Sequence, residues 1–248
     1  MRLENKIAIV TGGGSGFGEG IAQKFVNEGA KVIVADINED GGRSVAKDLG
    51  NQGHFIRADV SNAEDMKGLI EGAIAHFGGL DIIVNNAGMG HLPQSLETIS
   101  EEMFDKLVNV NIKSVFLSAR YAVPYFKQQK SGTFLNVAST GGVSPRPNLT
   151  WYNMTKGAMI TATRGMAVEL APFGIRVNAL NPVAGETPLL ETFMGEDTPE
   201  IRAKFLSTIP IGRFSTPRDM GNAACFLCSN EADMITGVAM EVDGGRCI

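Results

Sequence analysis

Thr11-Gly12-Gly13-Gly14-Ser15-Gly16-Phe17-Gly18 is the stretch that decides how this chain is read. On its amino side lies an apolar, β-branched run, Ile7-Ala8-Ile9-Val10, short enough for a buried strand. On its carboxyl side, apolar residues at Ile21, Ala22, Phe25 and Val26 recur at helical spacing. Strand, glycine turn and helix in that order make an entry for a nucleotide. The missing side chains admit a pyrophosphate to the backbone, and the helix N-terminus offers free N–H groups and a partial positive charge. Glycine-rich turns also merely connect elements, so the next element matters. A second strand, Lys31-Val32-Ile33-Val34-Ala35, ends in Asp36, about 20 residues past the glycines, where a carboxylate meets the ribose hydroxyls of a bound dinucleotide. Together these features predict dinucleotide binding.

Length and composition bound the rest. The 248 residues suit one α/β domain spanning residues 1–248. Apolar residues make up 44% of the chain and charged residues 20%, enough to build a core and still keep a polar surface. No apolar run approaches the roughly 20 residues that a membrane span needs. Residues 1–6 lead straight into the first strand with no room for a signal peptide, so a cytoplasmic protein is expected. A net charge of −5 disfavours a nucleic-acid or anionic-membrane partner. Cys225 and Cys228 form a C-x-x-C inside an apolar helical run with no second ligand pair. They therefore read as buried thiols rather than a zinc or redox motif. His54, His76 and His91 show no metal-ligand spacing, and no metal is expected. His91 follows a strand-end loop and reads as a surface histidine, with lining a pocket as the alternative.

Beyond Asp36, apolar strands alternate with helical patterns, which implies a doubly wound parallel sheet covered on both faces. A helix is expected over residues 38–49 and a strand over 54–58. A helix carrying Met66, Leu69, Ile70, Ala73, Ile74 and Phe77 follows, capped by Ser61 or Asn62. Further strands are expected at 80–84, 132–138, 175–180 and 238–242, and helices at 100–129, 152–172 and 217–229. Within the first of these helices, Pro124 marks a kink or the start of the last turns. In an open α/β sheet, ligands bind beyond the carboxyl ends of the strands. The glycine turn, Asp36, Asp59, Asn86, Ser139 and Pro182 all fall at such ends.

With those pieces placed, the chain resembles the short-chain dehydrogenase/reductase family over nearly its full length. Thr11-Gly12, Gly16 and Gly18 resemble the family's cofactor turn, and Asn85-Asn86-Ala87-Gly88 its post-strand motif. Asn111, Ser139 and Tyr152-Asn153-Met154-Thr155-Lys156 resemble its Asn-Ser-Tyr-Lys active site, and residues 182–187 the segment that closes over the nicotinamide. The resemblance implies a single-domain Rossmann fold with a seven-stranded parallel sheet and a small substrate lid over residues 186–214. It also implies hydride transfer on carbonyls or alcohols and a homotetramer.

The chemistry follows residue by residue. Tyr152 and Lys156 stand four apart on a helix and share a face. A free phenol ionises near pH 10, and a neighbouring ammonium is expected to lower that value and fit Tyr152 for general acid/base work. By the resemblance, Lys156 also holds the nicotinamide ribose, and Asn111 holds a water that extends a proton relay. Ser139 donates to the substrate oxygen. Asp36 would repel a 2′-phosphate, and Gly14, Ser15, Ile37 and Asn38 supply no basic residue to receive one, so NAD(H) is expected over NADP(H). The remaining cofactor contacts are expected from Gly12, Ser15, Gly16, Phe17, Gly18, Ile37, Asp59, Val60, Asn86, Ala87, Gly88, Pro182, Val183 and Thr187. Substrate contacts are expected from His91, Gly141, Asn148, Trp151 and Leu190, a mix that suits a small, mainly apolar ketone or secondary alcohol. Two alternatives stand beside this reading. One is a 3-oxoacyl-thioester reductase of fatty-acid synthesis. The other is a catalytically silent NAD-sensing regulator, since fold does not fix function.

Overall fold

The apolar runs read from the sequence pair into one sheet. In the computed structural model, which describes residues 1–248, the strands are β1 (Ile7–Thr11), β2 (Lys31–Asp36), β3 (Gly53–Arg57), β4 (Ile82–Asn85), β5 (Gly132–Val137), β6 (Ile175–Pro182) and β7 (Ala239–Val242). Their order is β3-β2-β1-β4-β5-β6-β7, and every pairing is parallel. The chain winds outward from β1 through β2 to β3, then returns to lay β4 on the other side of β1. That reversal opens a crevice at the carboxyl ends of β1 and β4, the place where an open α/β sheet takes a ligand.

Successive strand residues face opposite layers. Ala8, Val10, Val32, Val34 and Leu135 join a core under α1 (Gly16–Asn27), α2 (Glu39–Asp48) and α9 (Pro217–Cys228). Ile9, Ile33, Ile83 and Phe134 join the opposite core, under α3 (Ala63–Phe77), α5 (Ser114–Gln129) and α6 (Thr150–Leu170). Asn62, not Ser61, caps α3, accepting from the backbone N–H groups of Glu64 and Asp65. Cys225 and Cys228 are buried in the first core, and burial raises both thiols above their ordinary pKa. No helix is long and apolar enough to cross a membrane.

Three departures from the sequence reading matter for the site. Residues 100–129 are not one helix kinked at Pro124. They form α4 (Glu101–Val108), a π-helical turn over Asn109–Lys113, and then α5, which runs through Pro124 to its end. The disruption sits where a buried asparagine must reach partners on two other segments, a common setting for a π turn. Strand β6 continues to Pro182 because β7 pairs with it there, Pro182 opposite Val242. The irregular stretch after β6 contains two short helices, α7 (Leu189–Met194) and α8 (Pro199–Leu206). They close a small apolar cluster of Val183, Leu190, Met194, Ile209 and Phe214.

The glycine turn is held by close approach. A side chain at Gly18 would place its Cβ 2.0 Å from the Gly12 carbonyl oxygen, and Gly12 itself has a φ of +61°. The obstacle is backbone, which cannot swing aside. Gly18→Ala is therefore expected to cost at least about 2 kcal/mol in denaturant unfolding. An unchanged midpoint would contradict this packing.

Candidate active site

A cavity of about 450 Å³ opens at the carboxyl ends of the strands. The expected cofactor residues line it from five strand-end segments: Gly12, Ser15, Gly16 and Phe17 after β1, Asp36 and Ile37 at the end of β2, and Asp59 and Val60 after β3. Asn86, Ala87 and Gly88 line it after β4, and Pro182, Val183 and Thr187 at and after β6. Gly18 alone of that set lies off the wall, because its place is against Gly12 behind the turn.

Local hydrogen bonds fix these walls. The Asp36 carboxylate accepts from the Gly14 N–H at 2.9 Å and, through its other oxygen, from the Asn38 N–H at 2.9 Å. The glycine turn and the start of α2 thus hold the carboxylate. Each carboxylate oxygen takes one N–H and retains a lone pair for a further donor. Asp59 accepts from the Ser61 N–H and hydroxyl. Asn86 ties β4 to β1 by donating to the Thr11 and Gly12 carbonyls at 2.9 and 3.1 Å. After β6 the chain folds back over the turn. Thr187 lies 3.1 Å from where a Cβ on Gly16 would sit, and the Phe17 ring 2.2 Å from where one on Gly185 would.

Ser139, Tyr152 and Lys156 share the same cavity. The Ser139 oxygen accepts from the Gly141 N–H at 3.0 Å, which leaves its hydroxyl proton free to donate. Lys156 is buried and donates to the Val137 carbonyl at 2.8 Å, with its other N–H donors uncommitted. Gly88 stands beside it. A Cβ there would come within 3.3 Å of both Lys156 Nζ and Asn111 Oδ1. Asn111, fully buried, spends its side chain inside the protein. Its Oδ1 accepts from the Met89 N–H, and its Nδ2 donates to the Met89 carbonyl and to Thr155 Oγ1. Thr155 in turn donates to the Tyr152 carbonyl at 2.7 Å. Asn111 therefore locks the post-β4 loop to the helix that carries Tyr152 and Lys156.

The electrostatics differ from the sequence expectation. Burial raises the Tyr152 pKa above its ordinary value, against smaller opposing effects from a Ser139 hydrogen bond and the charge of Arg146. Lys156 does not supply the lowering charge in the free protein. Its own pKa falls to about 8, also through burial, and its nitrogen lies 5.9 Å from the Tyr152 ring centre. Desolvation penalises both charged forms, and in the free protein it sets the direction of both shifts.

Of the expected substrate residues, only Leu190 lines the cavity. His91 is 3% exposed rather than at the surface, and its Nδ1 is 2.8 Å from the Leu92 carbonyl. It is the short loop after β4 that folds it inward. Gly141 sits behind Ser139 and orients it. Asn148 is exposed at a φ of +64°, and its carbonyl accepts from the Gln94 N–H. Trp151 packs edge-on against Phe104 and donates to the Leu96 carbonyl at 2.9 Å. The side chains that do face Tyr152 are Phe193, whose ring centre is 4.9 Å from that of Tyr152, and Arg146.

Comparison with known proteins agrees with this architecture. The family model described as enoyl-(acyl carrier protein) reductase matches residues 12–246. The chain belongs to the short-chain dehydrogenase/reductase family. It is 48% identical to 4-formylbenzenesulfonate dehydrogenase of Comamonas testosteroni across the whole of both chains. It is 36% identical to 2,5-dichloro-2,5-cyclohexadiene-1,4-diol dehydrogenase of Sphingobium indicum, covering 98% of this chain and 97% of that one. Among solved structures, 3-ketoacyl-(acyl-carrier-protein) reductase from Brucella melitensis complexed with NADH superposes with a TM-score of 0.95 at 50% identity. That match covers 99% of this chain and 100% of the other. The protein is an oxidoreductase acting on CH–OH groups and their carbonyl counterparts, with a nicotinamide cofactor.

Because Lys156 loses its proton near pH 8, carbonyl reduction should weaken as the pH rises through that value. With saturating NADH, log kcat/KM is expected to be level at pH 6–7 and to fall above about 8 with a slope approaching one decade per pH unit. A level profile to about pH 9.5 would remove the Lys156 charge from the rate.

Proposed function

We propose that this protein transfers a hydride between NAD(H) and a small, mainly apolar secondary alcohol or its carbonyl form, with Tyr152 as general acid/base. The observation that carries the cofactor choice is the Asp36 carboxylate, held at the end of β2 by the Gly14 and Asn38 N–H groups and lining the cavity. A second carboxylate-repelled charge, such as a 2′-phosphate, has no place beside it, and no basic residue flanks it at Gly14, Ser15, Ile37 or Asn38. Gly12 and Gly88 line the cavity and put no side chain into it where a dinucleotide would lie.

When bound, the nicotinamide supplies or accepts the hydride. The chain supplies the rest. Asp36 binds the adenosine ribose hydroxyls, and Asp59 and Val60 flank the adenine. Ser139, its lone pair pinned by Gly141, donates to the substrate oxygen. In the reducing direction Tyr152 gives that oxygen a proton. Lys156 offsets the negative charge left on the phenol. Leu189, Leu190 and Phe193 of the segment after β6 exclude water from the reacting carbon. Residues 186–214 form the lid in this reading.

A second reading, reduction of a 3-oxoacyl thioester, is favoured by the structural match to the 3-ketoacyl-(acyl-carrier-protein) reductase of Brucella melitensis. Asp36 suits either reading, because the Brucella reductase is itself complexed with NADH, and turnover of a small ketone against an acyl thioester separates them. The proposal also includes a cytoplasmic location and a homotetramer, with Phe116 on α5 and Val168 on α6, 57% and 81% exposed, as apolar surface for the contacts.

Two variants test the assignment. Tyr152→Phe should lower turnover by at least about a hundredfold while NADH binding, read by fluorescence titration, persists. Retained turnover would take Tyr152 out of its role. Asp36→Ala with Ile37→Arg should move the ratio of kcat/KM for NADPH over NADH up by about tenfold or more, equivalent to about 1.4 kcal/mol. An unmoved ratio would place cofactor choice elsewhere.

A further inference from the structure

Arg146 is a cation without a counter-ion at the reacting end of the cavity. It lies between Ser139 and α6, lines the same wall as Tyr152 and Phe193, and is only partly exposed. Its backbone carbonyl accepts from Asn153 Nδ2 at 2.8 Å, which fastens the loop to α6. Its guanidinium lies 4.8 Å from the centre of the Phe205 ring on α8. No carboxylate forms an ion pair with it. The only acids on the cavity wall are Asp36 and Asp59, at the ends of β2 and β3, where the adenosine half of a dinucleotide belongs. Burial and the like charge of Arg246 both disfavour the Arg146 cation, while Tyr152 is close enough for their charges to interact. A partly desolvated guanidinium left unpaired is costly, and its planar fork matches an oxyanion in two-point contact.

Resting on the dehydrogenase reading above, we infer that the substrate carries a carboxylate or sulfonate group, bound by Arg146, with its apolar body against Leu190 and Phe193 and its CH–OH or C=O at Tyr152. Arg146 is thereby a specificity-determining residue. It selects anionic carbonyl compounds and leaves the proton and hydride steps to the groups already described. The shared ligand chemistry is the oxyanion, and the two sources are told apart by titrating each.

The test is a calorimetric titration of benzoate, benzenesulfonate and neutral benzamide into the protein with NAD⁺ bound. It is repeated in Arg146→Gln and Arg146→Lys and paired with kcat/KM for NADH-dependent reduction of 4-acetylbenzoate against 4-acetylbenzamide. The expected result is at least about tenfold tighter binding of one or both anions than of benzamide, lost in Arg146→Gln and partly restored in Arg146→Lys. The anionic-over-neutral ratio of kcat/KM should follow the same order. Equal binding of benzoate, benzenesulfonate and benzamide by the wild type, or a preference that survives Arg146→Gln, overturns the inference. Arg146-dependent anion binding without reduction of either ketone would keep the anion site and count against the dehydrogenase reading. Reduction of both ketones at equal kcat/KM, with no anion preference in binding, would keep that reading and remove the site.

Discussion

Burial acts on Tyr152 and Lys156 in opposite senses, and the site depends on that opposition. Desolvation pushes the phenol up and the ammonium down to about 8, so each group leans toward its neutral form in the free protein. Both side chains sit on one helix face and open into one cavity. The bond from Lys156 to the Val137 carbonyl ties the ammonium to β5. A pair poised in this way responds to any charge that enters beside it, because in a desolvated site an added charge acts on a pKa with little screening. Proton transfer then becomes conditional on what occupies the cavity.

The rest of the fold serves to keep that pair in place. Asn111 reaches both the Met89 backbone and Thr155, and Thr155 reaches the Tyr152 carbonyl, so one buried amide joins β4's loop to α6. A regular helix through residues 100–129 would carry Asn111 past those partners. The π turn places it among them. On the other side of the crevice, Asn86 and Thr11 bind β1 to the loop after β4, and Gly18 lets α1 close against Gly12. The doubly wound sheet contributes the common rim, and these few hydrogen bonds turn the rim into a site.

Much of this was legible in the sequence because it is written in local pattern. The glycine turn, the acid after β2 and the Tyr152–Lys156 spacing are short-range signals whose meaning depends on the element that precedes them, and the alternating apolar runs supplied those elements. What escaped was non-local. The π turn is set by the partners of Asn111, which lie 22 and 44 residues away. His91 read as a surface residue because nothing beside it in the chain reports the loop that buries it. Gly141, Asn148 and Trp151 were expected to meet substrate. The structure gives them tasks in orienting Ser139 and anchoring the loop and helix around it. Arg146 lies between Gly141 and Asn148 in the chain, yet only the cavity shows it standing without an acid partner. The Tyr152 pKa moves opposite to the direction that the Tyr152–Lys156 spacing implies, for a related reason. Spacing reports that a cation is near, whereas the extent of desolvation is a property of the whole packed site.

The account turns on Tyr152 being a buried phenol whose ionisation answers to charge brought in beside it. The chain has three tyrosines, so the near-ultraviolet tyrosinate band can be followed against pH and Tyr152 isolated by difference from Tyr152→Phe. In the free protein the Tyr152 component should ionise above the ordinary tyrosine range, and with saturating NAD⁺ it should move to distinctly lower pH. A Tyr152 titration that is the same with and without NAD⁺ would contradict the account.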